Sequence, residues 1–534
     1  MNDTWLDTNF TSTTVKPFID RIFSNTSLGH RLLERLTVVN LRHAFYLISP
    51  YETAVATLEE VPNYNVEVSA WWLVFIVVEF FILQVSGHHE RFALNDSITS
   101  ISAGMLSQCF KFGGRTVAIF LYAFIWNNFR LLELPWDSPW TWILCLFFQD
   151  LMYYFGHRAV HEAGFFWGLH TIHHSSEYYN FSTALRQAAF QDAGLAIYDV
   201  LQAFFIPPPI FLVHRYFSEI LQFVMHTSLV DDLGPLGLVF NTPSHHRVHH
   251  GRNPYCIDKN YGGVFIIWDK MFGTFEAERK DDPPIYGLVH NENTFDQIYL
   301  QVHVLWDMLY FKGQMRNDKG EPLFPGFLNK IKAALYPPGW FPGVPVIPFF
   351  HWMSLEDTAY GVPEPEKPVV KYNPPLEFWI KLYLIGHFVL LLAIFLHFEY
   401  DRSSLDYIDF SLKIAFFLVT MQTFGAFFDK RWYAPSLEIS RCAGVLTFFG
   451  FTILDHIGAG PHRVFLMTIF GVSALLWIGY CIQERITSRR RIHGKGEKNV
   501  AISVISKSDP LAAASPPEQS AVIAPPPTAI HSAL

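Results

Sequence analysis

Residues 139–174 read PWTWILCLFFQDLMYYFGHRAVHEAGFFWGLHTIHH, an apolar run that passes without a break into five histidines. The run Pro139–Phe155 approaches the ~20 residues that a helix needs to cross a bilayer. Beyond it, His157 and His161 stand four apart, and His170, His173 and His174 follow at spacings of three and four. Such spacings place imidazoles on one face of a helix, where several can reach one ion. The stretch therefore predicts a membrane helix that emerges directly beside a metal site.

The rest of the chain fits that reading. Of its 534 residues, 50% are hydrophobic and only 16% charged, whereas soluble domains carry about 25% charged residues. The apolar residues fall in blocks rather than in a diffuse amphipathic pattern. Ala70–Ser86 and Thr116–Leu134 predict two earlier spans, and Leu376–His397, Tyr407–Phe427, Ser436–Leu454 and Val464–Cys481 predict four later ones. Glu79, inside the first span, is expected to be a buried group with a partner or to face the bundle. Ala189–Ile206 and Ile210–Val230 flank Pro207-Pro208-Pro209. A proline run stops a helix, so this pair is expected to form a hairpin that enters the membrane and returns to the same side.

The expected fold is all-α, a multi-pass integral membrane protein with a cytosol-facing, histidine-rich di-metal site. Residues 1–68 form a lumenal segment with sequons at Asn2, Asn9 and Asn25, and 69–155 hold three transmembrane helices. Residues 279–375 form a cytosolic connection, 376–482 four transmembrane helices, and 483–534 a disordered cytosolic tail. Arg489-Arg490-Arg491, Lys430 and Arg431 all lie inside in this topology, as the excess of basic residues on cytosolic loops requires. The chain start lacks the basic-then-apolar order of a cleaved signal, so the first span is expected to direct targeting.

Several function classes are excluded. A net charge of −9 with no basic field gives nucleic acid nothing to bind. Cys109, Cys145, Cys256, Cys442 and Cys481 are scattered without CxxC spacing, so neither a disulfide framework nor a thiolate metal site is expected.

A third cluster, His245-His246-Arg247-Val248-His249-His250, repeats the earlier pattern, and His226 is expected to emerge on the same face. Asp150 and Glu219 each precede a histidine, His157 and His226, by seven positions and so share its helical face two turns deeper. They are candidates for acceptors that orient a ligating imidazole. Eight to ten imidazoles exceed the four that one zinc takes, which favours two ions with open positions. Imidazole also binds zinc, copper and nickel, so spacing alone leaves the metal open.

The order HxxxH, HxxHH, then a distant HxxHH resembles the fatty acid hydroxylase and sterol desaturase superfamily, whose catalytic region would span residues 150–278. Within it, FSTALRQAAFQD (181–192), PSHHRVHHGRN (243–253) and NYGGVFIIWDKMFGTFEAE (260–278) resemble the alkylglycerol monooxygenases. That resemblance implies iron, two ions in all, tetrahydrobiopterin, the endoplasmic reticulum membrane, and an ether-lipid substrate oxidised by dioxygen to a fatty aldehyde and a glycerol derivative. Its boxes fall on His157 and His161, on His170, His173 and His174, and on His245 or His246 with His249 and His250. Glu162 matches a position connected with pterin use. Phe155, Phe166, Trp167 and Phe181 are candidates to line the lipid's path. Two other readings remain: a sterol or fatty acid hydroxylase or desaturase fed by a cytochrome, and a histidine-rich metal transporter, which would place its ligands near mid-bilayer.

Overall fold

The structure is a computed structural model, and it describes residues 28–190, 198–344, 362–402, 405–455 and 461–505. The sequons at Asn2, Asn9 and Asn25 lie outside them. Among the described residues there are helices and isolated bridges but no β-strand. The chain divides into two compact units after Ile414.

The first unit is built on α1 (Tyr64–Val85), α2 (Leu94–Phe129), α3 (Pro139–Glu162), α4 (Gly164–His174), α5 (Pro208–Met225), α6 (Pro243–His249), α7 (Gln297–Trp306) and α8 (Phe378–Asp401). Helix α3 opens with Pro139 in its first turn, where the missing N–H has no intrahelical partner to lose. Its apolar face joins α1 and α5 in a core of Val68, Trp142, Phe211, Phe217 and Ile220. Full burial of each such side chain contributes about 1.5–3 kcal/mol.

Among the described residues, four helices are long and apolar enough to cross a membrane: Tyr64–Val85, Phe378–Tyr400, Tyr407–Phe428 and Arg463–Thr487. The expected span at Thr116–Leu134 corresponds to a shorter apolar stretch, Val117–Phe129, at the end of α2. Pro139–Phe155 lies within α3, which continues through two polar turns to Glu162.

The expected membrane hairpin is not what its described part forms. Residues 191–197 lie outside the described residues, and Val200–Phe204 is one short 3₁₀ turn. Pro208 and Pro209 start α5 rather than mark the tip between two spans. The reason is polar pairing: Gln202 donates to Gln149 (2.7 Å), Gln149 to Asp199 (3.2 Å), and Arg215 pairs with Asp199 and Glu219. Along α5, His214 meets Tyr46 Oη at 2.7 Å. These partners make α5 an internal helix.

Residues 38–63 also pack onto this core, with Trp142 Nε1 donating to Thr53 Oγ1 (3.0 Å). Glu79 has the partners expected of it, accepting from Thr227 Oγ1 (2.6 Å) and from the Phe181 amide (2.6 Å).

Helix α7 lies against α4 at backbone distance, since a Cβ on Gly168 would come within 2.6 Å of Leu305 Cα. Gly168→Ala is therefore expected to destabilise the fold by about 1–3 kcal/mol, because backbone rather than a mobile side chain must yield. A thermal melt against wild type measures this.

The second unit contains α9 (Tyr407–Phe428, its first turns shared with the first unit), α10 (Ala434–Asp455) and α11 (Pro461–Ile505). Within it Arg441 pairs with Glu438 at 2.6 Å, both fully buried, and sits over the Phe470 ring. Helix α11 runs past residue 483 to Ile505, into the stretch expected to be disordered. Adding a residue to a formed helix costs far less than nucleating one, so the good helix formers of Glu484–Arg491 extend it. Residues 506–534 lie outside the described residues.

Candidate metal centre

The α3–α4 corner places the first five histidines. His157 and His161 project from the last turns of α3, and after a single non-helical residue, Ala163, α4 presents His170, His173 and His174. His226 is the residue on which α5 ends. Short helix α6 begins on the Thr242 hydroxyl with Pro243 in its first turn, and brings His246, His249 and its terminal residue His250 to the same place.

Nine buried imidazoles thus meet in two overlapping groups. His157, His161, His170 and His249 form one tetrad, and His173, His226, His246 and His250 the other, with ring nitrogens inside each within 4.8 Å of one another. His174 belongs with both, grouping with His170 and His173 on one side and with His249 and His250 on the other. His226 Nε2 lies 3.2 Å from His173 Nε2, 3.0 Å from His250 Nε2 and 3.2 Å from His246 Nε2.

The outer nitrogens explain the convergence. Backbone carbonyls face Nδ1 of His157 (Tyr261, 2.9 Å), His173 (Arg186, 3.1 Å), His226 (Gln222, 2.7 Å) and His249 (Lys259, 3.0 Å). A carbonyl only accepts, so each Nδ1 carries the proton and each Nε2 turns a bare lone pair inward. Lone pairs on His173 and His226 at this spacing repel unless a cation lies between them. Nε2 of His161, His174 and His249 is buried with no hydrogen-bond partner among the described residues. Leaving such groups unsatisfied costs about 1–3 kcal/mol each, and a metal ion removes that cost. Burial also holds His157 down at about 4 and, with neighbouring imidazoles adding to it, His161, His174 and His249 well below the ordinary value. They are neutral near pH 7, the form that ligates. The donor set therefore fits two imidazole-ligated ions.

His245 is not part of either group. Adjacent residues on a helix point about 100° apart, and with His246 inward the His245 ring lies edge-on to Phe275 at 5.5 Å. Asp150 and Glu219 find partners other than the imidazoles expected of them. Asp150 accepts from the Val264 and Phe265 amides (2.6 and 2.9 Å) and from Trp268 Nε1 (2.9 Å). It thereby fixes the loop whose Tyr261 carbonyl orients His157. Glu219 pairs with Arg215 Nε (3.2 Å) and Asn65 Nδ2 (3.3 Å), while His226 takes its own helix's Gln222 carbonyl.

Gly263 is what lets that loop close on Asp150, because a Cβ there would lie 2.6 Å from Asp150 Oδ1. Gly263→Ala is expected to lower metal affinity about tenfold, the scale of losses from disturbed outer partners. Equilibrium dialysis of the purified variant against iron reads this.

Sequence reasoning missed Asp258, whose Oδ1 stands 3.7 Å from His161 Nδ1. It and Asn260 adopt left-handed backbone conformations (φ +55° and +57°), which Asp and Asn tolerate better than other side chains. The D-x-N pattern at 258–260 was the available signal. Glu162 is buried against Arg158 Nε (2.9 Å), and burial lifts its carboxyl to about 8 in spite of that partner.

Two cavities reach the histidines and share no lining residue. The larger, about 360 Å³, is walled by Trp72, Met105, Phe223, Leu392, Phe395 and Leu396 and extends to His157 and His170. The smaller, about 290 Å³, touches His161, His174, His249 and His250, and Trp167, Arg252, Asp258, Glu292, Tyr299 and Asp307 also line it.

Known proteins place this arrangement. Residues 142–274 match the family model described as fatty acid hydroxylase, and residues 380–460 match the alkylglycerol monooxygenase C-terminal domain. The chain is 73% identical to an alkylglycerol monooxygenase of Caenorhabditis elegans over 88% of its own length and 93% of the relative's. It is 38% identical to the Homo sapiens alkylglycerol monooxygenase over 84% and 96%, and 37% identical to that of Xenopus tropicalis over 85% and 96%. No solved structure matches it. With identity of this depth running across nearly the whole of each relative, the chain belongs to the alkylglycerol monooxygenase family.

Proposed function

We propose that this chain uses reduced tetrahydrobiopterin and dioxygen to cleave the O-alkyl ether bond of 1-O-alkylglycerols and lyso ether lipids, yielding a fatty aldehyde and a glycerol derivative. The observation that carries this reading is the meeting of nine buried imidazoles with an apolar cavity. In it His157, His161, His170 and His249 hold one iron, His173, His226, His246 and His250 a second, and His174 stands between them. Iron held there would supply the activation of dioxygen.

The chain's own residues do the rest. Leu392, Phe395, Leu396 and Phe223 receive the alkyl chain and exclude water, so that the ether carbon stops where the cavity meets His157 and His170. Hydroxylation of that carbon gives a hemiacetal, which breaks its carbon–oxygen bond as the hydroxyl proton passes to the departing glycerol oxygen. Asp150 and Asp258 are positioning residues, acting through the Tyr261 loop and through His161. The protein resides in the endoplasmic reticulum membrane with the site facing the cytosol, where a lipid drawn from the bilayer meets a water-soluble reductant. Its partners are membrane lipids and the ether-lipid substrate.

Purified protein assayed on an alkylglycerol is expected to release aldehyde only when tetrahydrobiopterin is present. Turnover that runs on a cytochrome reductase chain and ignores the pterin would contradict the reading.

A further inference from the structure

The smaller cavity carries charged side chains that an alkyl chain does not need. Its walls include the half-buried indole of Trp167, whose ring lies 5.1 Å from His161 and 5.7 Å from His174. Arg252 lines it too, its Nη1 donating to the Leu288 carbonyl at 3.1 Å. So does Asp307, half-buried where α7 passes into a wider helical turn, whose carboxylate accepts no hydrogen bond from the described residues. A guanidinium, an unused carboxylate acceptor and an aromatic face around one space complement a small planar molecule that carries both N–H donors and a carbonyl. Hydrocarbon would give the charged groups no polar partner.

Glu162, by contrast, lines neither cavity. Its neighbour Arg158 already occupies one of its oxygens.

From this we infer that the smaller cavity is the docking site of the two-electron reductant, a small reduced heterocycle of the pterin class. Asp307 and Arg252 pair its polar edge and Trp167 its face, while the lipid occupies the apolar cavity. This rests on the monooxygenase reading above and adds to it the place of the reductant. One turnover consumes the reduced ligand XH₂, the lipid RH and O₂ and gives X, ROH and H₂O. The ligand thus supplies both electrons and both protons for the oxygen atom that leaves as water. Four imidazoles on the cavity wall, His161, His174, His249 and His250, include members of both tetrads. A reductant seated there lies against the ligands of both ions, and it need not pass through the space the alkyl chain fills.

The test uses full-length, iron-loaded protein in detergent, with dihydrobiopterin as an air-stable probe. Its Kd is measured by titration calorimetry, and KM is measured separately for tetrahydrobiopterin and for an alkylglycerol. Asp307→Asn is expected to weaken dihydrobiopterin binding and raise the pterin KM about tenfold, the scale of a lost hydrogen bond to a charged group. The alkylglycerol KM and the iron content should stay at wild-type values. Trp167→Phe, which keeps a ring against His161, should weaken the probe less than Trp167→Ala does. Leu396→Trp in the other cavity should raise the alkylglycerol KM and leave the probe's Kd alone. If wild type binds dihydrobiopterin and Asp307→Asn and Trp167→Ala both bind it within about twofold of wild type, the cavity assignment is wrong while the pterin reading stands. If wild type binds none and turns over without pterin, both are wrong.

Discussion

Replacing His226 with alanine is expected to leave about one iron per chain in place of two and to reduce ether cleavage to background. His226 Nε2 is the common neighbour of three other inward nitrogens, at 3.0 to 3.2 Å. Its loss leaves three imidazoles around a position from which one first-row ion would have been held by four. The first tetrad contains no atom of His226 and should keep its ion. Affinity at the second position should fall by more than about a hundredfold, the upper range for losing an outer partner alone. Folding should survive, because the chain on both sides is anchored independently: the Tyr179 hydroxyl donates to the Met225 carbonyl (2.9 Å), and Thr227 is tied to Glu79. Elemental analysis of the purified variant gives the stoichiometry. His161→Ala should produce the complementary loss, and a double variant should bind no iron.

Asp150→Ala is the second large effect, and it acts without touching a ligand. The carboxylate takes three donors from the 264–268 segment. Without it those donors are left in a buried setting at about 1–3 kcal/mol each, so a net loss of about 3–5 kcal/mol is expected once partial relaxation is allowed for. The same loop carries the Tyr261 carbonyl that fixes the His157 tautomer, so iron affinity should fall about 10- to 100-fold as well. A lowered melting temperature together with weakened iron binding is the expected signature. A variant that melts early yet binds iron with full affinity would separate Asp150 from the centre.

These two residues also mark how far the sequence could be read. The histidines were legible because ligation by helices demands spacings of three and four, and such spacings survive in a bare string of letters. His226, outside any box, was found from where its helix should emerge. Asp150 was noticed for its seven-residue offset from His157, yet that offset speaks only to its own helix. Its partners are 114 to 118 residues away in sequence. The atoms that orient His157, His173, His226 and His249 had no signature, since every residue owns a carbonyl oxygen. The choice between His245 and His246 needed the direction of α6, which no local pattern states.

The long apolar helices were legible in outline. Long apolar blocks such as Tyr64–Val85 and Phe378–Tyr400 declare themselves by composition. The pair around Pro207-Pro208-Pro209 misled, because hydropathy weighs the apolar majority of α5 and cannot see that His214, Arg215 and Glu219 each find a buried partner.

The central claim is that the two tetrads of imidazoles hold two ions. The most direct measurement is elemental analysis of the purified wild-type protein, normalised to protein concentration and paired with Mössbauer spectra of iron-grown material. Two irons per chain with spectra of imidazole-ligated, coupled sites is the predicted result. A single ion per chain, or full occupancy by zinc in protein that cleaves the ether, would contradict it.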